Sequence, residues 1–549
     1  MRSPKYYLLF LCLFTLTVCK AQDKKFDIST PVGLDPVGVN KVLCMKNGNT
    51  VLFHFEPGKG IMVKVFDSAH KRVANTEHSC TLLDITMLRL FSFKGLYDIG
   101  GEAVLFIEQP NGGRHSLVRL RFDAATGKMI EEATMAKSKG MAKPTRYFVM
   151  KNKHDEGYAI LYSSDEQQFK RCELHVTYYD GHHASYKEVP LPFDRKKYDY
   201  LDVVGAEALP DGVCVTLGLT TLLVNGTGTR LENASIYDHH LAIFFIGRNS
   251  TQPVSKLVDV SSDMYPHYTI SSYNAFARSV NMVMLSYRDV VVQYGLELRP
   301  TAFMSNLFFK LDEEDLATKY TWMTNKLAST SLRTKTDTGY VYQGLPVKLF
   351  TNDNGLSTMV SQSFNRYKNV ESKARADVYE SFFGDIAITR FDDDGKELWG
   401  TVLSCSQYFK SYRRYYTAAE MAKRWQQQEM FGDLPPQVYG RQFASLNTYS
   451  LGSDLYIIYN DYNKNLHTEP EEPGDTVYTF NNTNTCYYKV NRKNEITKQY
   501  MFGDPMAKEY KTSFIEGADL DEQRGTYATL IQYKRGEYVS LRMAWCHLD

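Results

Sequence analysis

Eight times along the chain a short run of alternating apolar residues is followed, after a turn, by a second run that often closes on an aromatic–Asp pair. Val51–Phe55 leads to Ile61–Phe66 and Asp67, Ala103–Ile107 to Leu117–Phe122 and Asp123, and Tyr158–Tyr162 to Leu174–Tyr179 and Asp180. Side chains along an extended chain alternate between two faces, so each run reads as one half-buried strand. The pairs recur about every fifty residues, a spacing that belongs to propeller blades. Later passes pair Val213–Leu217 with Leu241–Ile246, Met282–Ser286 with Leu307–Leu311, Ser357–Ser361 with Ile386–Phe391, Leu455–Tyr459 with Cys486–Val490, and Tyr527–Ile531 with Tyr538–Met543. A weaker strand precedes each pair and a further one follows most, as in Glu397–Val402, so each repeat supplies four antiparallel strands.

The expectation is an all-β chain folded as a single β-propeller of about eight four-stranded blades, with seven the alternative, plus a short helical insertion. The last pass reaches Asp549 without a fourth strand, whereas Phe26–Ser29 is a spare strand candidate near the start. Pairing the two segments closes the ring and removes an exposed sheet edge. The helical insertion begins at the capping box Thr417–Glu420, continues through Met421, Ala422 and Trp425, and stops at Gly432 and Pro435–Pro436.

Residues 1–21 read as a signal peptide and 22–549 as the propeller domain. Arg2 and Lys5 precede the apolar stretch Tyr7–Val18, and Cys19-Lys20-Ala21 offers a cleavage site. Lipid attachment at Cys19 is the second reading of the same segment. No later stretch is long and apolar enough to be a transmembrane helix. The expected location is therefore exported: periplasm, outer-membrane-associated or extracellular. A formal net charge of +1 without a long basic run disfavours nucleic acid as a main partner. Seven cysteines remain beyond the leader, with no C-x-x-C spacing; Cys44, Cys214, Cys486 and Cys546 lie inside apolar runs and read as small core residues.

Catalytic signatures are thin. There is no G-x-S-x-G elbow, no H-E-x-x-H, no phosphate-cradling glycine loop and no dinucleotide fingerprint. Asp392–Gly395 sits where Asp67 and Asp123 sit in their repeats and reads as a hairpin turn. His182-His183 and Asp238-His239-His240 invite a metal reading, but adjacent strand residues point to opposite faces and do not chelate one ion well. No metal and no cofactor are expected.

Loop lengths carry the functional signal. With strands named a to d from the axis outward, the a–b and c–d turns stay short. The b–c segments 219–238, 288–305, 363–384 and 460–485 and the d–a segments 325–345 and 407–441 read as long insertions, all leaving one face of the disc. Polar residues crowd the ends of b strands there, in Tyr287-Arg288-Asp289 and in Tyr459–Tyr462 with Asn465. Nearby stand Arg366-Tyr367, Tyr379, Phe382-Phe383, Tyr408-Phe409 and Tyr412–Tyr416. Tyrosine and arginine together suit a recognition surface, and the candidate ligand-binding residues are Arg288, Asp289, Arg366, Tyr412, Arg413, Asn460, Asp461 and Asn465. The competing reading is that they hold long loops down.

The stretches Gly384–Trp399 and Tyr456–Asn465 resemble exported propeller-like proteins of Gram-negative bacteria, a group without an assigned activity. The resemblance covers chiefly the last third of the chain and implies an envelope location and the fold. The expected function is a non-enzymatic extracytoplasmic recognition scaffold that binds a protein or glycan partner on its loop-rich face. One alternative is a glycan-active enzyme using Asp289, Asp385 and Asp461 at the central opening; another is a structural envelope component.

Overall fold

The computed structural model describes residues 25–34, 38–56, 59–111, 114–137, 147–152, 155–163, 173–194, 196–198, 200–224, 236–258, 264–274, 278–288, 290–293, 297–300, 304–312, 318–322, 344–352, 354–369, 378–392, 394–411, 441–444 and 446–548. The leader and the helical insertion expected at 417–436 lie outside them.

The chain is an all-β propeller of four-stranded blades. In chain order the first five sheets are antiparallel meanders spanning Val39–Cys44 to Arg72–His78, Ser92–Ile99 to Met129–Lys137, Phe148–Lys151 to Ser185–Pro190, Tyr200–Leu209 to Val254–Val258, and Met264–Asn274 to Thr318–Trp322. The sixth runs from Leu345–Thr351 to Glu397–Leu403 and carries Gln407–Ser411 as a fifth strand; the seventh runs from Leu446–Leu451 to Ile496–Tyr500. The eighth comprises Glu509–Ser513, Thr526–Arg535 and Tyr538–His547, with the short Asp519–Asp521 beside Thr526–Arg535. First strands of successive sheets touch one another from the first sheet to the sixth, and Val39–Cys44 also touches the eighth sheet. Apolar residues from facing sheets fill the wedges between them, as where Val51, Phe53 and Val63 of the first sheet pack with Leu105, Val118 and Phe122 of the second.

The aromatic–Asp signature has a direct physical reason. At the end of the third strand the aromatic residue is packed inward, Phe66, Phe122 and Phe391 each being almost fully buried. The carboxylate that follows closes the turn to the fourth strand. Asp67 Oδ1 accepts the backbone N–H groups of Ala69 and Lys71 at 3.0 and 2.9 Å. Asp180 takes those of His182 and Ala184, and Asp392 those of Asp394 and Lys396. Asn491 does the same for Lys493 and Glu495 in the seventh sheet. An acceptor at this point satisfies N–H groups that a tight turn leaves without a ladder partner. The fourth residue of these turns takes a left-handed backbone, φ +60° at His70 and +77° at Gly395.

The N-terminal strand Phe26–Pro31 pairs antiparallel with Tyr538–His547, Phe26 opposite Cys546 and Ile28 opposite Ala544. It takes the outer place in the eighth sheet. His70 of the first sheet bonds Asp27 at 3.0 Å and stacks on Trp545 at 4.2 Å, while the Trp545 indole N–H donates to Thr50 at 2.9 Å. The two ends of the chain are thereby joined through buried aromatic packing and a shared ladder.

The inner place of the eighth sheet is broken between Ser513 and Asp519, and the intervening 3-10 turn Ile515–Gly517 packs on the inner strands of the first and seventh sheets. Lys41 donates to the Glu516 carbonyl, and Asn447 to the Ile515 carbonyl at 2.7 Å. Burial lowers the Lys41 ammonium to about 8. Asp519, whose carboxylate accepts the Cys44 N–H at 2.8 Å, is pushed up to about 6 by burial, against the opposing pull of that bond.

Two outcomes follow. Deleting residues 25–31 strips the outer ladder from Tyr538–His547 and the Asp27–His70 pair, and lowers the melting temperature by several degrees; an unchanged melt contradicts this role. For Asp519 the folded protein holds its proton more tightly than the unfolded chain between pH 3.8 and about 6, so stability falls as pH rises through that window. Asp519→Asn therefore melts above the parent protein at pH 7.5, and the difference closes toward pH 4.

Candidate functional site on the loop-rich face

Adjacent strands in every sheet run antiparallel, so connections after the second and fourth strands leave from the same end. At that end four hairpins are enlarged. In two of the segments read as loops the strands of the blade run on into both flanks. Gly212–Val224 and Ile236–Gly247 stay paired out to Val224 opposite Ile236, and Ser357–Asn369 pairs with Val378–Phe391 out to Asn369 opposite Val378. Each passes a bulge, between Leu222 and Val224 and between Gln362 and Phe364, where the ladder shifts register. In the fifth sheet the corresponding segment contains its own hairpin, Val290–Gln293 with Glu297–Pro300.

The sixth-sheet extension forms a ledge. Gln407–Ser411 pairs along it, with Phe382 opposite Tyr408 and Phe383 opposite Gln407. The period of two sorts the side chains. Phe364, Phe383 and Phe409 pack inward with ring centroids 5.1 and 5.6 Å apart. Phe382 and Tyr408 point outward, half-buried, at 4.9 Å, and Tyr478 extends the row at 5.3 Å from Tyr408 with 63% of its surface exposed.

Tyr478 arrives from another blade. The connection between Asp454–Asp461 and Asn484–Val490 crosses from the seventh sheet to the sixth as a strap. The Ser404 N–H donates to the Pro470 carbonyl, Val477 N–H to Ser406 and Tyr408 N–H to Val477, all at 2.8–2.9 Å. Phe480 of the strap packs with Phe443 and Phe514, so an apolar seam runs under it.

Two of the nominated residues, Asp461 and Asn465, anchor this strap, and Asn460 fixes the strand end from which it leaves. Asn460 is fully buried: its amide donates to the Phe443 and Ser513 carbonyls, both at 2.8 Å, while its oxygen accepts the Thr485 hydroxyl and the Ser513 N–H. All four positions of the amide are filled. Asp461 accepts the Tyr462 N–H at 2.8 Å, the Asn465 amide at 2.7 Å and the Lys498 ammonium at 3.1 Å. Asn465 closes the strap on itself, donating to the Asp475 carbonyl and accepting the Asp475 N–H. The Lys498 ammonium also donates to the Asn465 carbonyl and lies 5.4 Å from the Tyr488 ring centre. These side chains make a buried clamp held by hydrogen bonds within the chain.

Arg288 and Arg366 lie on Ser279–Arg288 and Ser357–Asn369, at the loop-rich ends of the fifth and sixth sheets. Asp289, Tyr412 and Arg413 lie outside the described residues. Asp385 accepts the Cys405 N–H at 3.2 Å, and burial raises its carboxyl above the usual range. His183 is buried 3.4 Å from Glu102; His239 bonds Thr220 and His240 bonds Asp238, so neighbouring histidines serve different partners. No three His, Cys, Asp or Glu side chains among the described residues are grouped to hold a metal. Burial pushes the thiols of Cys214, Cys405 and Cys486 well up, which leaves them inert as nucleophiles. Sequence reasoning missed Lys498 and Tyr478. Lys498 belongs to the alternating outer strand Ile496–Tyr500 and looks like any solvated lysine; Tyr478 is distinguished only as the one aromatic residue in the stretch 467–479.

No family model matches the sequence, and no curated protein matches it. Among solved structures the chain is similar to the β-propeller domain of the trilobed protease from Pyrococcus furiosus, at 7% identity over 82% of this chain and 97% of that one, TM-score 0.33. It is also similar to an ulvan lyase (8% identity, 86% and 96% covered, TM-score 0.35) and to an oligogalacturonate lyase in complex with manganese (10%, 95% and 96%, TM-score 0.33).

Lys498→Met strands the Asp461 carboxylate in its buried site and costs about 3 kcal/mol or more of unfolding free energy. Adding Asp461→Asn recovers much of that loss. Denaturant titration of the two variants measures both, and a single variant as stable as the parent contradicts the clamp.

Proposed function

We propose that this protein is a non-enzymatic recognition scaffold working outside the cytoplasm, and that a protein or glycan partner docks on its loop-rich face. In this reading the eight sheets are the blades of one ring, closed by the strand Phe26–Pro31. The observation that carries the proposal is the outward aromatic row Phe382–Tyr408–Tyr478, held by strand pairing on one side and by the strap on the other. Aromatic side chains with few rotatable bonds, fixed on rigid elements, give up little entropy on binding. Arg288 and Arg366 belong to the same face and would border the partner; Asp289, Tyr412 and Arg413 are assigned to it from sequence alone. Asn460, Asp461 and Asn465 act in this account by holding the strap that presents Tyr478.

The glycan-active enzyme reading asks more of the nominated carboxylates. Asp461 is committed to Lys498 and Asn465, and Asp385 is half-buried against Cys405, so neither stands ready for acid–base work with its partner across a cleft. A purely structural envelope component predicts a featureless broad face, and the ledge speaks against that.

A photo-crosslinking residue placed at Tyr478 captures a partner from envelope material, whereas the same residue at Val73, exposed beside the short turns, does not. Equal capture at both positions, or none at Tyr478, contradicts the proposed siting.

A further inference from the structure

The Phe382–Tyr408–Tyr478 row narrows the partner, and this step rests on the recognition reading above. We infer that the row binds a neutral polysaccharide, with Tyr478 as the stacking platform.

Three observations favour a glycan over a peptide. A peptide that adds to an exposed sheet edge draws its affinity from backbone hydrogen bonds. On the ledge that edge is already taken at the aromatic row, because Tyr408 donates to Val477 and Val477 to Ser406. A protein hot spot also needs a deep apolar pocket around its anchor. Here the rings step outward instead, tilted by 51° and 57° to one another and ending in a tyrosine that is 63% exposed. A stepped row of rings suits a chain of sugars, whose successive rings are rotated about the chain and each offer a C–H face to an aromatic face. A tyrosine adds a phenol at the rim, where sugar hydroxyls need partners. The strap fixes this platform: the Tyr478 N–H donates to the Tyr462 hydroxyl at 3.2 Å.

Charge selects among glycans. The strap leading to Tyr478 exposes Glu469, Glu471, Glu472 and Asp475, and its one lysine, Lys464, is paired with Asp475. Glu471 also accepts the Thr401 hydroxyl at 2.7 Å, which ties the acidic stretch to Glu397–Leu403, the strand that leads into the ledge strand Gln407–Ser411. A uronate or sulfated chain would meet like charge there, and repulsion of this kind rejects a wrong partner without any new attractive contact. The acidic stretch is a filter in this account, and the rings are the site.

Affinity electrophoresis of the full chain tests the inference, using gels that contain laminarin, xylan, galactomannan or polygalacturonate. The expected result is retardation by at least one of the three neutral polymers and none by polygalacturonate. Tyr478→Ala weakens that retardation at least tenfold, Tyr478→Trp keeps it, and Tyr186→Ala, an exposed tyrosine on an outer strand, leaves it unchanged. No retardation by any neutral polymer, stronger retardation by polygalacturonate, or an unaffected Tyr478→Ala overturns it. A crosslink from position 478 to a protein, with no glycan retardation, overturns the glycan assignment and leaves loop-face recognition standing. Failure of both arms removes the recognition reading as well.

Discussion

A carboxylate that accepts two backbone N–H groups closes the outer hairpin in one blade after another, and the rest of the molecule is built on the side that this closure leaves open. Asp67, Asp180 and Asp392, with Asn491 in the same place, pin the turn between third and fourth strands to a fixed length. Antiparallel pairing then sends the connections after the second and fourth strands out from the opposite end. The aromatic residue before the carboxylate faces the wedge between sheets, so one dipeptide links local turn chemistry to packing between blades.

The open side is stiffened in two ways. Hairpins in the fourth and sixth sheets simply continue their ladders past the blade, which satisfies backbone groups that a loop would have to present to water. The seventh sheet instead throws a strap across to the sixth and locks it with Asn460, Asp461, Asn465 and Lys498. A buried ion pair is a costly way to gain stability, because both charges surrender water. Its value here is positional: the Asp461 oxygens accept from three different groups and so define where the strap begins.

The strands and short turns were legible in the sequence because they rest on local signals, alternation and Asp-capped turns. Asn460, Asp461 and Asn465 also stood out, as polar residues interrupting an apolar strand. Their chemistry did not: whether a buried amide serves a ligand or the chain depends on Phe443, Thr485 and Ser513, and two of those three lie more than twenty residues away. Segments 219–238 and 363–384 looked like loops because Asn, Gly and Ser interrupt them, and antiparallel pairing carries the flanks of each onward as strand. The meeting of Tyr408 with Tyr478 is a tertiary event of the strap, and no pattern around either residue announces it.

If the clamp positions the whole face, its loss must be felt well beyond its own contacts. Asn460→Ala leaves the Phe443 and Ser513 carbonyls, the Ser513 N–H and the Thr485 hydroxyl without that partner at once. Amide hydrogen exchange followed by mass spectrometry reads the consequence. Residues 463–483 and the ledge strand Gln407–Ser411 are expected to lose protection together, while the Asp67 and Asp180 turns exchange as before. Loss of protection confined to the immediate neighbours of position 460 would contradict it.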